Sequence, residues 1–256
     1  MSAPSPFDLT GRRALVTGSS RGLGLAMAKA LAGAGAAVIL NARDSVALGA
    51  AAADLAETGA QVNAVAFDVT SPDSVGGAIA HIEAEIGPID ILVNNAGIQI
   101  RGPLETYSHD NFERMLSTHV VSTFSVSQAV AKHMLVRGRG KIINICSILT
   151  DHARPTAAPY GAAKAAIANL TRGMAADWAP RGLHVNAIAP GYFKTELNKA
   201  LLGDAAFDGW VRQRTPMGRW GEVEELGPAA IFLASDASSF VNGHILYVDG
   251  AFTAVV

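Results

Sequence analysis

Short apolar runs alternate with alanine-rich stretches along almost the whole chain, and this alternation restricts the fold more than any other feature. Continuous apolar runs are typical of buried parallel strands, and stretches with apolar residues at helical spacing are typical of the helices that connect them. Seven strands are predicted, at 13–17, 37–41, 61–67, 89–94, 141–146, 184–189 and 245–248. Six helices are predicted between them, at 22–34, 45–58, 72–86, 109–137, 159–180 and 222–235. The pattern therefore predicts the α/β class with a doubly wound parallel seven-stranded sheet.

No linker, repeat or low-complexity block divides the 256 residues, so a single domain is predicted. The segment 191–221 breaks the alternation, because it is long, polar and aromatic and contains no predicted strand. Since it follows the carboxyl end of a strand, we expect it to be an inserted lid that covers the site and selects the substrate. The alternative is a disordered surface excursion, which its aromatic residues Phe193, Phe207, Trp210 and Trp220 disfavour.

Three residues suited to one proton transfer follow the fifth predicted strand. Ser147 lies at the carboxyl end of that strand, where open α/β sheets bind ligands, and Tyr160 and Lys164 share one face of the next helix. Interconversion of an alcohol and a ketone needs a group that gives or takes a proton at the oxygen, and a phenol can do so. We expect the Lys164 ammonium group to lower the pKa of Tyr160, and Ser147 to hold the substrate oxygen. Taken alone, Tyr-x-x-x-Lys is a weak signal, so an ordinary helix-surface pair is the alternative.

A glycine-rich turn, TGSSRGLG, follows the first predicted strand at residues 17–24. Gly18, Gly22 and Gly24 would let the backbone turn tightly and approach a pyrophosphate at the start of a helix. The spacing differs from the common G-x-G-x-x-G, so the turn alone is a weak signal. Together with the serine, tyrosine and lysine set, it predicts a dinucleotide site.

Composition excludes several classes of partner. The net charge of −2 argues against nucleic acid and against an anionic membrane surface. No apolar stretch reaches the length of a membrane span and the first residues contain no apolar signal segment, so a cytoplasmic protein is expected. Cys146 is the only cysteine, which rules out an intrachain disulfide, and the histidines show no metal-ligand spacing. No metal site is expected.

The motifs, in their order along the chain, resemble those of the classical short-chain dehydrogenases/reductases, whose sheet is of the Rossmann type. They are TGSSRGLG (17–24), FDVT (67–70), NNAG (94–97), Ser147, YGAAK (160–164) and APG (189–191). The resemblance implies that Asp68 contacts the adenine, that Lys164 also holds the nicotinamide ribose and that Thr195 lies on the nicotinamide side. It implies further cofactor contacts by Gly18, Ser20, Arg21, Gly22, Leu23, Gly24, Val69, Asn95, Gly97, Tyr160, Pro190 and Gly191.

The choice of nicotinamide cofactor depends on charge at the end of the second strand. A carboxylate there binds the ribose 2′-hydroxyl group, whereas neutral and basic residues accept a 2′-phosphate. The chain has Asn41 at this place, followed by Arg43, with Arg21 in the glycine turn. NADP(H) is therefore favoured, with NAD(H) as the alternative if Asp44 binds the ribose.

One residue departs from the family pattern. This chain has His119 at a position where family members usually carry an asparagine. In the family, that asparagine is said to bind a water molecule that links the lysine to solvent. Imidazole can donate and accept hydrogen bonds and titrates near neutral pH, so we expect His119 to hold the same water. The alternative is a histidine that is merely tolerated beside the site.

Within the family, the resemblance is to gluconate 5-dehydrogenases (5-keto-gluconate reductases), through segments such as NNAGIQIRGP (94–103) and NAIAPGYFKTELN (186–198). It implies interconversion of D-gluconate and 5-keto-D-gluconate. Arg101 is a candidate for binding the carboxylate of such a substrate, Arg154 is a second candidate, and a solvated surface charge is the alternative for each.

Three other functions stay open. They are a 3-oxoacyl-[acyl-carrier-protein] reductase, a reductase of another sugar acid or small ketone, and a binding module that senses a cofactor without catalysis. The resemblance also implies a homotetramer, with a monomer as the alternative. Where the family usually has a second glycine after Gly250, this chain has Ala251, which is expected to alter the turn.

Overall fold

A seven-stranded sheet forms the centre of the computed structural model, which describes residues 5–255. All neighbouring strands are parallel, and their order is β3-β2-β1-β4-β5-β6-β7. The strands are β1 (Arg13–Val16), β2 (Ala37–Leu40), β3 (Val62–Ala64), β4 (Ile91–Asn94), β5 (Gly140–Ile145), β6 (Leu183–Pro190) and β7 (Ile245–Val248). The order reverses between β1 and β4, where doubly wound sheets open a crevice for ligands. The predicted fold class is confirmed.

Nine α-helices connect or follow the strands within residues 5–255. They are α1 (Gly22–Gly33), α2 (Ser45–Ala56), α3 (Pro72–His81), α4 (His109–Leu116), α5 (Ser122–Arg137), α6 (Ala158–Trp178), α7 (Lys199–Leu202), α8 (Ala205–Arg214) and α9 (Gly227–Ala234). Helices α1, α2 and α9 pack on one face of the sheet, and α3, α5 and α6 pack on the other. Burial of apolar side chains on both faces explains why the strands are continuous apolar runs.

The third strand is shorter than the predicted 61–67, because the Asn41 side chain takes the hydrogen-bonding place of a neighbouring strand beyond Ala64. The Asn41 amide nitrogen donates to the carbonyl groups of Val65 and Phe67, at 3.2 and 3.1 Å. Those carbonyl groups are therefore paired without a strand partner, and β3 ends at Ala64.

The predicted helix 109–137 contains a π-helical turn, Ser117–Val121, between α4 and α5. A π turn widens the helix by one residue and often marks a functional site. Here it places His119, which is 2% exposed, against the loop after β4. Two other predicted helices also contain non-α turns. The predicted helix 72–86 ends in a π-helical turn, Ile82–Ile86, and the predicted helix 222–235 begins with a 3₁₀ turn, Val223–Leu226.

The 191–221 segment carries regular structure and buried aromatic side chains among its described residues. Its two ends are joined by a parallel bridge between Phe193 and Gly221, and it carries α7 and α8 between them. Phe193 is 3% exposed and Trp220 is fully buried, whereas Trp210 is 40% exposed. Aromatic burial thus fixes the base of the segment.

Ala251 adopts the backbone conformation that a second glycine would adopt freely. Its φ is +69°, next to Gly250 at +64°. A Cβ atom in this left-handed region costs about 1–2 kcal/mol, partly offset by the greater freedom of glycine in the unfolded chain.

We therefore expect Ala251→Gly to stabilise the protein by about 0.5–1 kcal/mol and to raise Tm by about 2 °C. Thermal unfolding at one protein concentration checks this, with Ala254→Gly as the control near the same terminus. A lower Tm for Ala251→Gly would contradict the expectation.

Candidate active site

One large cleft, of about 850 Å³, lies along the carboxyl ends of the strands. It brings together all the residues that the sequence singled out for cofactor, catalysis and substrate. They are Gly18, Ser20, Arg21, Gly22, Leu23, Gly24, Asn41, Arg43, Asp68, Val69, Asn95, Gly97, Arg101, His119, Ser147, Arg154, Tyr160, Lys164, Pro190, Gly191 and Thr195. Residues up to 177 positions apart thus share one site because parallel strands end at the same edge of the sheet.

The glycine turn fits a dinucleotide pyrophosphate. Gly18 and Gly22 have φ values of +63° and +60°, and a Cβ atom on Gly24 would lie 2.4 Å from the Gly18 carbonyl oxygen. The Asn95 amide nitrogen fixes the turn by donating to the same oxygen at 2.9 Å. No side chain caps α1 at Arg21, so the first N–H groups of the helix are free for an anion.

A buried polar network fixes helix α6 on the sheet. The Asn94 amide group of β4 donates to the Asn144 side chain of β5 at 2.9 Å, and Asn144 donates to Thr171 of α6 at the same distance. Buried side-chain amides are satisfied in only a few geometries, so such a network specifies position. It holds the first turns of α6, which carry Tyr160 and Lys164, beside the end of β5.

Ser147 is held at the end of β5 by two hydrogen bonds. Its hydroxyl oxygen accepts from the Leu149 N–H group at 3.1 Å, and its own N–H group donates to the Thr150 hydroxyl group at 3.2 Å. These bonds leave the hydroxyl hydrogen to donate on the cleft side, where the Tyr160 hydroxyl group lies.

In the protein without a cofactor, burial shifts the pKa of Tyr160 in the direction opposite to the expected effect of Lys164. Burial raises the pKa of Tyr160 to about 12, against an opposing hydrogen bond from Ser147. The Lys164 ammonium nitrogen donates to the Ile145 carbonyl oxygen at 2.6 Å and lies 5.5 Å from the centre of the tyrosine ring. Burial also lowers the pKa of Lys164 to about 8. Because both groups are desolvated, the phenol keeps its proton at neutral pH.

Two arginines, Arg101 and Arg154, line the same cleft as Ser147 and Tyr160. Arg101 donates to the Gln99 side chain at 3.0 Å, and Arg154 donates to the Tyr192 hydroxyl group at 3.1 Å. A hydrogen bond from the Gly102 N–H group to the Thr156 carbonyl oxygen, at 3.2 Å, ties their loops together. Burial, followed by the charge of Arg154, lowers the pKa of Arg101.

Neither guanidinium group forms an ion pair with a carboxylate of residues 5–255. Two like charges held together with neutral partners attract an anion.

Comparison with known proteins agrees with this geometry. A family model described as enoyl-(acyl carrier protein) reductase matches residues 18–253. Gluconate 5-dehydrogenase of Gluconobacter oxydans is 54% identical over 253 residues, which cover 99% of each chain. The 5-keto-D-gluconate 5-reductase of Escherichia coli K12 is 46% identical over 98% of each chain. The chain belongs to the short-chain dehydrogenase/reductase family.

A solved family member has nearly the same structure. Gluconate 5-dehydrogenase from Burkholderia cenocepacia, in complex with NADP and tartrate, superimposes with a TM-score of 0.96 at 52% identity, over 98% of each chain. The sequence predictions of family, of a resemblance to gluconate 5-dehydrogenases and of an oxidoreductase are confirmed.

The end of the cleft near β2 carries two arginines that form no ion pair within residues 5–255. Arg21 and Arg43 are exposed on its wall. Asp44, the residue that would have favoured NAD(H), caps α2 by accepting from the N–H groups of Val46 and Ala47 at 3.0 and 3.1 Å. A family cofactor with a 2′-phosphate group fits this arrangement.

Asn41 contributes to cofactor choice differently from the prediction. Its amide nitrogen is committed to the two carbonyl groups after β3, and the side chain is only 1% exposed. The residue thus leaves this wall without a carboxylate, and its amide nitrogen is not available to a phosphate.

His119, the departure from the family pattern, does not titrate near neutral pH. Burial, followed by the charge of Lys164, lowers the pKa of His119 to about 3. Its Nε2 atom lies 2.7 Å from the Ile98 carbonyl oxygen and 3.2 Å from the Ile98 nitrogen, and the shorter contact favours the tautomer with the ring hydrogen on Nε2. The buried Nδ1 atom is then an acceptor without a partner in residues 5–255. In this tautomer the imidazole donates through Nε2 to Ile98, which leaves Nδ1 to accept a hydrogen bond.

Sequence reasoning missed two contributors. Ile98 fixes the orientation of His119 through its backbone, which no side-chain motif encodes. Tyr192 lines the cleft and binds Arg154, and the available signal was an aromatic residue directly after the APG turn.

The described part of the chain lacks two further kinds of site. No helix there is long and apolar enough to cross a bilayer. Within the same residues, no three His, Cys, Asp or Glu side chains are grouped so that they could hold a metal ion. Cys146 is buried, with its Sγ atom 3.8 Å from the Lys164 carbonyl oxygen, and burial raises the pKa of its thiol.

Proposed function

We propose that the protein is an NADP(H)-dependent oxidoreductase that interconverts D-gluconate and 5-keto-D-gluconate. The observation that carries the substrate class is the pair of arginines, Arg101 and Arg154, held without an acidic partner in the cleft that contains Ser147, Tyr160 and Lys164. A substrate with a carboxylate at one end and a carbinol at the other matches both groups of residues. The named activities of the relatives agree with this choice.

Each residue has a distinct role in the reaction. Arg101 and Arg154 bind the carboxylate, and Ser147 donates a hydrogen bond to the reacting oxygen. Tyr160 gives that oxygen a proton in reduction and takes one in oxidation. Lys164 holds the backbone at Ile145 and supplies positive charge beside the phenol. The nicotinamide, when bound, supplies or accepts the hydride.

The cofactor is held along the rest of the cleft. The glycine turn binds the pyrophosphate, Arg21 and Arg43 bind the 2′-phosphate, and Asp68 binds the adenine. The nicotinamide half is placed against Lys164, with further contacts from Val69, Asn95, Gly97, Pro190, Gly191 and Thr195. NADP bound to the relative from Burkholderia cenocepacia supports NADP(H) over NAD(H).

Three further proposals concern the protein as a whole. It acts in the cytoplasm as a homotetramer, which the exposed faces of α5 and α6 support through Phe124, Val136 and the alanine-rich side of α6. The 191–221 segment acts as the lid over the substrate, since Tyr192, Thr195 and Asn198 line the cleft. Size measurement in solution tests the tetramer, and a monomer would contradict it.

The high pKa of Tyr160 sets the pH dependence. Oxidation needs the phenolate, which below pH 12 is the minor form, whereas reduction needs the phenol, which is the major form. We expect kcat/KM for D-gluconate oxidation to rise by up to about tenfold per pH unit between about pH 6 and pH 8, and less steeply above pH 8, where Lys164 loses the charge that favours the phenolate. We expect no such rise for reduction of 5-keto-D-gluconate. Initial rates in both directions test this, and a flat oxidation profile would be inconsistent with a phenol as the base.

His119 is proposed to accept one hydrogen bond, through Nδ1, in the proton path from Lys164 to solvent. An asparagine also offers an acceptor, so we expect His119→Asn to lower kcat by less than about threefold and His119→Ala by about tenfold. Since the histidine stays neutral, neither variant should move the pH profile around pH 6–7. Initial-rate assays over a range of pH measure the change in kcat and any shift of the pH profile. Equal and negligible losses of kcat would show that the position is idle.

A substrate panel tests the proposed function. NADPH absorbance is followed with polyols, aldonates, keto acids and an acetoacetyl thioester, and the best substrate is repeated with NADH. We expect D-gluconate and 5-keto-D-gluconate to give the highest kcat/KM, with NADP(H) preferred. Turnover of the thioester without turnover of either sugar acid would favour the acyl-carrier-protein reductase instead. No turnover of any compound would favour a binding module.

A further inference from the structure

Tyr192 stands where the cleft, the 191–221 segment and the carboxyl terminus meet. It lies two residues beyond β6 and lines the cleft. Its ring contacts Phe207, Trp210, Trp220 and Phe252 edge-on, with centroid distances of 5.5 to 5.9 Å. Its carbonyl oxygen accepts from the Gly221 N–H group at 2.9 Å. The tyrosine ring is therefore fixed on several sides.

The ring contacts that pack Tyr192 do not involve its hydroxyl group, whose partner is Arg154. The hydroxyl group accepts a hydrogen bond from Arg154 Nη1 at 3.1 Å. Arg154 also lies over the ring of Phe207, with its Cζ atom 5.1 Å from the ring centroid. Both contacts that hold the guanidinium group thus come from the 191–221 segment.

Arg154 needs such support because its own loop gives it little. It follows β5 in an irregular stretch that includes Thr156, a residue with a φ of +67°. A free arginine side chain has many rotamers, and binding an anion with it costs the entropy of fixing them. Arg101, by comparison, already has Gln99 as a neighbour two residues away.

We propose that Tyr192 is a positioning residue for the substrate carboxylate: its fixed hydroxyl group accepts from Arg154 and directs that guanidinium group toward the anion. The proposal rests on the proposed function, since it takes a sugar acid as the substrate. Tyr192 then contributes to the preference for substrates with a carboxylate over neutral substrates. It also couples carboxylate binding to the segment that carries α7 and α8.

The variant Tyr192→Phe removes the hydroxyl group and keeps the ring. D-gluconate and D-glucitol differ only in having a carboxylate or a hydroxymethyl group at C1, so they form a matched pair of substrates. We expect the variant to lower kcat/KM for D-gluconate about fivefold, through a higher KM. The kcat for D-gluconate and the kcat/KM for D-glucitol should stay within about twofold of those of the parent protein. Tyr247→Phe is the control, because that hydroxyl group binds Asp151 outside the cleft.

A double-mutant cycle with Arg154→Ala separates positioning from packing. If Tyr192 acts through Arg154, the effect of Tyr192→Phe falls below about twofold once Arg154 is absent. The same cycle is measured on the Kd of tartrate with NADP⁺ bound, a readout that needs no turnover. An unchanged fivefold effect in the Arg154→Ala background would overturn the proposal, and so would equal losses on D-gluconate and D-glucitol. No effect of Tyr192→Phe in the parent background would overturn it as well.

The two proposals fail in distinguishable ways. If the parent protein does not oxidise D-gluconate, the proposed function is wrong, and the tartrate cycle still decides the role of Tyr192. If the parent oxidises D-gluconate and the cycle shows no coupling, the function stands and the positioning role falls.

Discussion

Replacement of Tyr160 by phenylalanine is expected to lower kcat for D-gluconate oxidation and for 5-keto-D-gluconate reduction by about a thousandfold. The ring and its contact with His119, at 5.4 Å between centroids, are kept, while the hydroxyl group proposed to transfer the proton is lost. Ser147 retains its hydrogen to stabilise the oxygen, but its hydroxyl group cannot replace the phenol as an acid. Loss of a well-placed acid or base typically costs 10²- to 10⁴-fold, that is, about 3–5 kcal/mol of transition-state stabilisation.

The measurement is kcat with saturating NADP(H), together with the Kd of NADPH from its fluorescence. We expect the Kd to change by less than about threefold, because the phenol hydroxyl group is one of many contacts in a long cleft. Tyr247→Phe serves as the matched control, with full activity. A Tyr160→Phe protein that turns over at the parental rate would remove the phenol from the mechanism.

Arg101→Ala is expected to lower kcat/KM for D-gluconate about a hundredfold, almost entirely through KM. Arg101 is partly buried, burial lowers its pKa, and losing the partner of a charge in such a site costs about 2–5 kcal/mol. The kcat should stay within about threefold, because the carboxylate is remote from the reacting carbon. The kcat/KM for D-glucitol should not fall, since a neutral substrate does not depend on a nearby positive charge.

Steady-state kinetics with the two substrates test the role of Arg101. Arg139→Ala is the matched control, because Arg139 is a mostly exposed arginine outside the cleft. Equal losses of kcat/KM for D-gluconate and D-glucitol would mean that Arg101 supports the structure of the loop and does not read the carboxylate. Arg101→Lys should recover part of the loss, because it restores the charge without the planar fork.

The sheet could be predicted because parallel strands buried on both faces have to be apolar throughout. Runs such as KIINIC at 141–146 carry that signal in their own residues. The end of β3 could not be predicted, because it depends on a hydrogen bond from the Asn41 side chain to the carbonyl group of Val65, twenty-four residues later in the chain. The π-helical turn at Ser117–Val121 was equally hidden, since its sequence, STHVV, is compatible with an ordinary helix.

The catalytic site could be predicted to the extent that spacing encodes it. Tyr160 and Lys164 share a helix face by periodicity alone, and the end of β5 places Ser147. The protonation states could not be predicted in the same way, because burial is the largest cause of the pKa shift of Tyr160 and of His119, and spacing along the chain does not encode burial. Neither could the hydrogen bond from Arg154 to Tyr192, which joins residues thirty-eight positions apart through two loops.

Identification of the product tests the central claim most directly. The protein is incubated with NADPH and 5-keto-D-gluconate, and the product is analysed by nuclear magnetic resonance. We predict D-gluconate as the single product, formed with one equivalent of NADP⁺, and none in the Tyr160→Phe protein over the same time. Formation of L-idonate, the epimer at C5, or oxidation of NADPH without a reduced sugar acid would contradict the account.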